Sequence, residues 1–147
     1  MLTKFSRLLL LSVLVPACLI ATAQTKVTIT AVQAVDGQNT VQGTDASIEL
    51  ARAEGSGGSP ILSAGDLTAK VQAKVSSHNV RRSSVKDSAV NLIMEISMQA
   101  GKDKDSKRVE KIFYMDQART STVTQKFNFK HGITMRTITL SFNVAVE

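Results

Sequence analysis

The sequence predicts an all-β protein: a single immunoglobulin-like antiparallel β-sandwich of about seven strands, preceded by a cleaved signal peptide. Hydrophobic and polar residues alternate with a period of two over much of the chain, as in half-buried strands. Clusters of Gly, Asn, Asp and Ser separate the alternating runs, as turns do. The N-terminus has the pattern of an export signal. These observations divide the chain into a signal peptide at 1–23 and a β-sandwich domain at 24–147.

The signal peptide is predicted from its charge and its ending. Lys4 and Arg7 precede the apolar run at 8–15, and Ala21 and Ala23 occupy the −3 and −1 positions of an A-x-A cleavage site. The apolar run is shorter than the roughly 20 residues that a transmembrane helix needs. We therefore expect an exported chain, without a transmembrane span after cleavage, in the periplasm, at the cell surface or outside the cell.

Cys18, the one cysteine of the chain, allows a second interpretation of this segment. The sequence "VPAC" at 15–18 resembles the lipobox of bacterial lipoproteins, in which the cysteine carries a lipid anchor. Leu19 and Ile20 continue the apolar run after the cysteine, which favours plain cleavage after Ala23. Cleavage there would leave a domain without cysteine, and the domain also has no N-x-S/T site, so both features favour a bacterial source.

The strongest strand prediction is the C-terminal segment "TITLSFNVAV", in which hydrophobic and polar residues alternate strictly. "AVNLIMEISMQ" repeats the pattern, and "KVTITAVQAV" does so near the start of the domain, with Val27, Ile29 and Ala31 on the predicted inner face. The predicted inner face of the C-terminal strand comprises Ile138, Leu140, Phe142, Val144 and Val146. The seven predicted strands cover 26–35, 45–53, 66–76, 89–99, 107–116, 120–129 and 133–146.

One segment, 66–76, also fits a helix. Leu67, Val71 and Val75 are spaced four residues apart, and the intervening Ala and Lys residues favour helix. The same segment alternates with a period of two, which favours a strand. We predict a strand here. The predicted turns and loops lie at 36–39, 55–60, 76–84, 101–106 and 130–132.

Catalytic and metal-binding patterns are absent from the sequence, which contains no G-x-S-x-G, H-E-x-x-H or Gly-rich phosphate loop. His78 and His131 are predicted to lie in turns. Asp103, Asp105 and Glu110 could supply oxygen ligands for calcium, but neighbouring lysines and the missing EF-hand glycine favour a charged hairpin turn. We expect no enzymatic activity, no metal and no cofactor.

Basic residues cluster between positions 70 and 86 and form the candidate anion-binding patch. Such a patch could attract an acidic polysaccharide, anionic lipid headgroups or another polyanion, and the alternative is an ordinary solvated face. Nucleic acid is the least expected partner, because most aromatic residues of the domain occupy predicted core positions. The patch comprises Lys70, Lys74, Arg81, Arg82 and Lys86.

Together these features predict an exported, non-enzymatic module for binding or assembly at the bacterial periplasm or cell surface. Its expected partner is another protein or a cell-surface component. One alternative is a structural subunit of a surface fibre or layer, joined by edge-strand addition. The other is a binder of anionic polysaccharide or lipid that acts through the basic patch.

Overall fold

The computed structural model describes residues 25–50, 55–82, 85–114 and 116–147, and within 77–88 it describes the backbone alone. The predicted signal peptide and Cys18 lie outside these residues. The described chain forms antiparallel strands and no helix. The strands are β1 (Thr25–Asp36), β2 (Asn39–Gln42), β3 (Ala46–Leu50), β4 (Ser56–Ala64), β5 (Leu67–Arg82), β6 (Val85–Ala100), β7 (Asp103–Tyr114), β8 (Thr120–His131) and β9 (Thr134–Val146).

These strands form two sheets, which share one hydrophobic core. The first sheet has the order β2-β1-β9-β8, with β3 also paired to β1, and the second has the order β4-β5-β6-β7. The inner faces supply the core, and no described side chain that is polar or charged is buried in it. The prediction of an all-β architecture built from two antiparallel sheets is therefore confirmed.

Period-two alternation predicted the inner faces of the central strands correctly. On β9, Ile138, Leu140, Phe142, Val144 and Val146 are all buried. On β6 the same is true of Val90, Leu92, Met94, Ile96 and Met98. Apart from Asp66, which lies in the turn before it, the ambiguous segment 66–76 belongs to strand β5, with Leu67, Ala69, Val71, Ala73 and Val75 buried on one face.

The strands of the second sheet follow one another in the order in which they occur along the chain, whereas in the first sheet β1 pairs with β2, β3 and β9. β4 to β7 form a meander of consecutive antiparallel hairpins, and β9 pairs with both β8 and β1. The pairing of β1 with β9 continues one residue further, because Lys26 and Glu147 exchange both backbone hydrogen bonds, at 3.0 and 2.8 Å. The two antiparallel sheets are consistent with a β-sandwich, and its immunoglobulin-like type stays a prediction.

Two strands were missed because their composition suggested loops. The segment "GSGGSP", predicted as a loop, contributes most of its residues to β4, and β2 begins at Asn39, the last residue of the predicted turn at 36–39. A Cβ atom on Gly57 would lie 2.7 Å from Cγ2 of Ile48, so glycine lets β4 approach β3 closely. The predicted loops at 76–84 and 101–106 are also shorter than expected, because their residues extend β5 and β7.

A bulge in β1 corrects the predicted orientation of Ala31. The register with β9 shifts between Thr30 and Gln33, Ala31 adopts a φ of 52°, and Val32 takes the buried position instead. The Asp45 carboxylate accepts a hydrogen bond from the Ala31 amide at 3.1 Å. The bulge therefore reverses the alternation halfway along β1, so that a strict period of two fails there.

A second bulge in β4 lies close to the first one. The register of β4 with β5 shifts between Pro60 and Leu62, which leaves both Ile61 and Leu62 buried. The connection between β2 and β3 joins the two bulges, since the Gly43 amide donates to the Val32 carbonyl and the Thr44 amide donates to the Ile61 carbonyl, each at 2.8 Å. This connection ties the first sheet to the second along one side.

Four hairpins turn at the same end of the molecule, which we call the hairpin end. Each has a two-residue loop that begins with a glycine of positive φ, as in type II′ turns. The loops are Gly37–Gln38, Gly65–Asp66, Gly101–Lys102 and Gly132–Ile133. The β8–β9 loop thus follows the predicted turn residues Lys130 and His131, which belong to β8.

Candidate functional site

The structure brings together part of the predicted anion-binding patch. Lys70 and Lys74 lie on the exposed outer face of β5. The side chains of Arg81, Arg82 and Lys86 lie outside the described residues, although the backbone register places Arg81 directly opposite Lys86 in the β5–β6 hairpin. The outer face of the second sheet is therefore the described part of this candidate site.

The side chain of Lys70 is held by its neighbours. With the Gln72 amide oriented to satisfy both of its partners, its oxygen accepts from Nζ of Lys70 at 3.1 Å and its nitrogen donates to the Gly57 carbonyl at 3.2 Å. Lys70 and Lys104 line one shallow cleft of about 450 Å³, together with Thr68, Ser97 and Gln99. Lys104 was not part of the predicted patch, because it is distant in sequence and reaches the cleft only through the pairing of β6 with β7.

Carboxylates on the same face weaken its positive potential. Glu95 lies opposite Arg108 in the β6–β7 register, and Glu110 accepts a hydrogen bond from the Asn91 amide at 2.5 Å. Glu95, Arg108 and Glu110 are all exposed. The outer face is thus a mixed surface with an excess of bases among its described residues.

The residues considered as calcium ligands do not converge. Asp103 and Asp105 are half-buried on the inner side of β7, whereas Glu110 lies on its outer side. Lys107 forms an ion pair with Asp105 at 3.4 Å. Within the described parts of the chain, no group of three His, Cys, Asp or Glu side chains could hold a metal ion.

One charged cluster of the described residues was not predicted from the sequence. Arg136, at the start of β9, donates to Asp36 at 2.7 and 3.1 Å and to Asp66 at 2.5 and 3.0 Å. Asp36 ends β1 and Asp66 lies in the β4–β5 turn, so the guanidinium links the two sheets at the hairpin end. These partners are 100 and 70 residues away in sequence, and local patterns carry no signal for such pairs.

The ion pair changes the acidity of its members. The hydrogen bonds from Arg136 lower the pKa of the Asp66 carboxyl, and the hydrogen bonds to Asp66 and Asp36 raise the pKa of Arg136. Beside this cluster is a cleft of about 660 Å³ at the hairpin end, lined in part by Lys102, Asp103 and His131. His131 is exposed there as the last residue of β8, and the side chain of His78 lies outside the described residues.

We expect Asp66→Asn to lower the free energy of unfolding near neutral pH and to have little effect in acid. The pKa of Asp66 is lower in the folded protein than in the unfolded chain, where it is about 3.9. The contribution of the ion pair is therefore complete above the unfolded pKa and is lost as the pH falls through the folded pKa. Denaturant titrations of parent and variant across this range test the prediction. A difference in unfolding free energy between parent and variant that is the same at every pH would contradict the prediction.

The sheet edges differ in how they are protected against added strands. β7 turns half-buried charged residues inward, β4 carries Pro60 and a bulge, and β2 and β3 are short and interrupted. All three features block edge pairing in natural proteins. The inward charges of β7 are Asp103, Asp105, Lys107 and Lys111.

β8 is the edge that has none of these features. Thr120–His131 pairs with β9 through an unbroken register, contains no proline or glycine, and has β9 as its one paired neighbour among the described strands. Its first half, "TSTVTQ", carries no charge and is rich in residues that favour strands. Lys126 and Lys130 are confined to the second half and point outward.

Comparison with protein-family models, with curated proteins and with solved structures gave no match. Among the described residues there is no helix with the length and apolar character of a membrane span.

Proposed function

We propose that this protein is an exported, non-enzymatic binding or assembly module that accepts an extended segment of a partner protein as an additional strand on β8. The single observation that carries the proposal is the unprotected edge of β8, since the other edges formed by the described strands are protected. An added strand would satisfy the outward backbone N–H and C=O groups of β8, and it would continue the first sheet. The N-terminal export pattern supports a location where such partners are cell-surface or periplasmic proteins.

The inner side of β8 defines where an added strand can be blocked. Ser121 and Gln125 lie on the same inner face of β8 as the buried Val123 and Phe127, so their side chains point toward the space beside the core. A lysine at position 125 would reproduce the inward charge that protects β7. The added strand would then bury an unpaired charge, which is unfavourable.

A labelled peptide with the sequence of residues 120–131 is a suitable probe, because strand addition depends mainly on backbone hydrogen bonds and tolerates different side chains on the added strand. We expect the parent to bind it and Gln125→Lys to bind at least about tenfold more weakly. Gln42→Lys makes the same change on exposed β2, at the opposite edge of the same sheet, and should bind like the parent. Equal binding by both variants, or no binding by the parent, would contradict the proposal.

The same edge also supports the alternative of a structural subunit, in which the added strand comes from another copy. Sedimentation velocity over a range of concentrations separates the two. A discrete monomer or dimer favours a partner-binding module, whereas species that grow with concentration and disappear in Gln125→Lys favour a polymerising subunit.

Binding of an anionic polysaccharide through the outer face of the second sheet is a second candidate function. It is supported by the cleft that Lys70 and Lys104 share. Retention on immobilised heparin should fall steeply with added salt and be lost in the double variant Lys70→Glu, Lys104→Glu. Lys126→Glu changes the other sheet and should be retained like the parent. Equal retention of the double variant and of Lys126→Glu would exclude the outer face of the second sheet as the site.

A further inference from the structure

The β8–β9 hairpin ends in an exposed apolar tip. Ile133 occupies the second position of its two-residue turn and is fully exposed, at 104%, and Met135 follows on β9 at 61%. Turn positions are usually occupied by polar residues or glycine. Neither side chain belongs to the hydrophobic core or to the partly buried residues packed against it.

Positive charge accompanies this tip. No acidic residue occurs from Gln117 to Val146. Lys130 lies directly opposite Met135 in the register, and Lys126 lies on the same outward face two positions further from the turn, beyond Asn128. Lys102, at the tip of the neighbouring β6–β7 hairpin, lines the cleft that also contains His131 and Thr134.

The acids at the hairpin end are largely engaged. Asp36 and Asp66 are both ion-paired with Arg136, and Asp103 is half-buried on the inner side of β7. The outward surface around Ile133 and Met135 is therefore dominated by lysines. Apolar side chains surrounded by lysines are the pattern with which proteins attach to anionic lipid surfaces.

We propose that the tip of the β8–β9 hairpin is a membrane-contact site that inserts Ile133 and Met135 into the interface of an anionic lipid bilayer. A stable protein–protein interface buries about 800 Å² on each partner, which two side chains on a two-residue turn do not offer. A protruding tip can instead enter a lipid surface without a complementary pocket. The lysine side chains then contact the headgroups. This site is distinct from the uncharged first half of β8, which lies toward the other end of the molecule.

The chain contains no tryptophan, so one introduced tryptophan reports its own surroundings. We expect the emission of Ile133→Trp to shift to shorter wavelength when phosphatidylglycerol-containing vesicles are added at low salt, and to remain unchanged with pure phosphatidylcholine. Ile112→Trp is the matched control, because Ile112 is an exposed aliphatic residue, at 48%, on the outer face of β7. Its emission should not shift.

Vesicle co-sedimentation completes the test. Ile133→Ser should weaken binding to phosphatidylglycerol vesicles on the order of tenfold, the factor expected when one aliphatic side chain no longer leaves water. Ile112→Ser should bind like the parent, and physiological salt should weaken binding of all three proteins. Failure of the parent to bind at low salt, equal shifts of both tryptophans, or parent-like binding by Ile133→Ser would overturn the proposal.

Discussion

Phe142→Ala should lower the free energy of unfolding by about 3–5 kcal/mol, the range measured for truncation of buried aromatic residues. Phe142 is 1% exposed and lies on β9, directly opposite the buried Val123 of β8. On its other side the strand faces the β1 bulge, where the register passes from Thr30 to Gln33. Both neighbouring strands would therefore border the cavity that the truncation leaves.

A domain of this size has a total stability of only about 5–15 kcal/mol, so this variant should be poorly folded at physiological temperature. Urea unfolding followed by circular dichroism measures the loss. Asn143→Ala is the control, because Asn143 is the next residue along the strand and lies exposed on the outer face. It should change stability by about 0.5 kcal/mol or less. If Phe142→Ala and the parent unfold at the same urea concentration, the register of β9 is wrong.

Gly43→Ala should be strongly destabilising, although it adds a single methyl group. A Cβ atom at this position would lie 2.3 Å from the Ile61 carbonyl oxygen and 2.4 Å from Cγ1 of Val32. One of these contacts is with backbone that is fixed by the hydrogen bond from Thr44 to Ile61. The two bulges would have to move apart, and overpacking of this kind costs about 1–3 kcal/mol or more.

Gly37→Ala separates crowding from backbone strain. Gly37 has a φ of 61°, which alanine adopts at a cost of roughly 1–2 kcal/mol, but a methyl group added there would have no atom within 4 Å. Gly43→Ala should therefore lose more stability than Gly37→Ala when both are measured by urea unfolding. The reverse order would mean that the connection between β2 and β3 does not join the bulges as the structure has it.

The central strands could be predicted from the sequence because their burial follows the local alternation of residue types. The burial of Leu92, Met94 and Ile96 could be predicted from the sequence of β6 alone. The alternation failed at Ala31, where a bulge adds a residue, and in "GSGGSP", where glycine serves close packing rather than a loop. Both features depend on a neighbouring strand, and a single sequence does not reveal the neighbour.

The candidate sites were predictable only in part for the same reason. Lys70 and Lys74 were found because they are close in sequence, whereas Lys104 joins Lys70 through strand pairing. The contacts of Arg136 with Asp36 and Asp66 depend on how four hairpins meet at one end of the molecule. The free edge of β8 is likewise a property of the strand order rather than of the residues of β8 themselves.

Residue-resolved amide hydrogen exchange along β8 tests the central claim, that this strand accepts another strand, most directly. In the free protein, the amides of β8 that bond to β9 should exchange slowly and the alternating outward amides should exchange fast. Addition of the peptide with the sequence of residues 120–131 should slow the outward amides in the parent and in Gln42→Lys, but not in Gln125→Lys. Outward amides that are already protected in the free protein, or that stay fast with the peptide present, would contradict the claim.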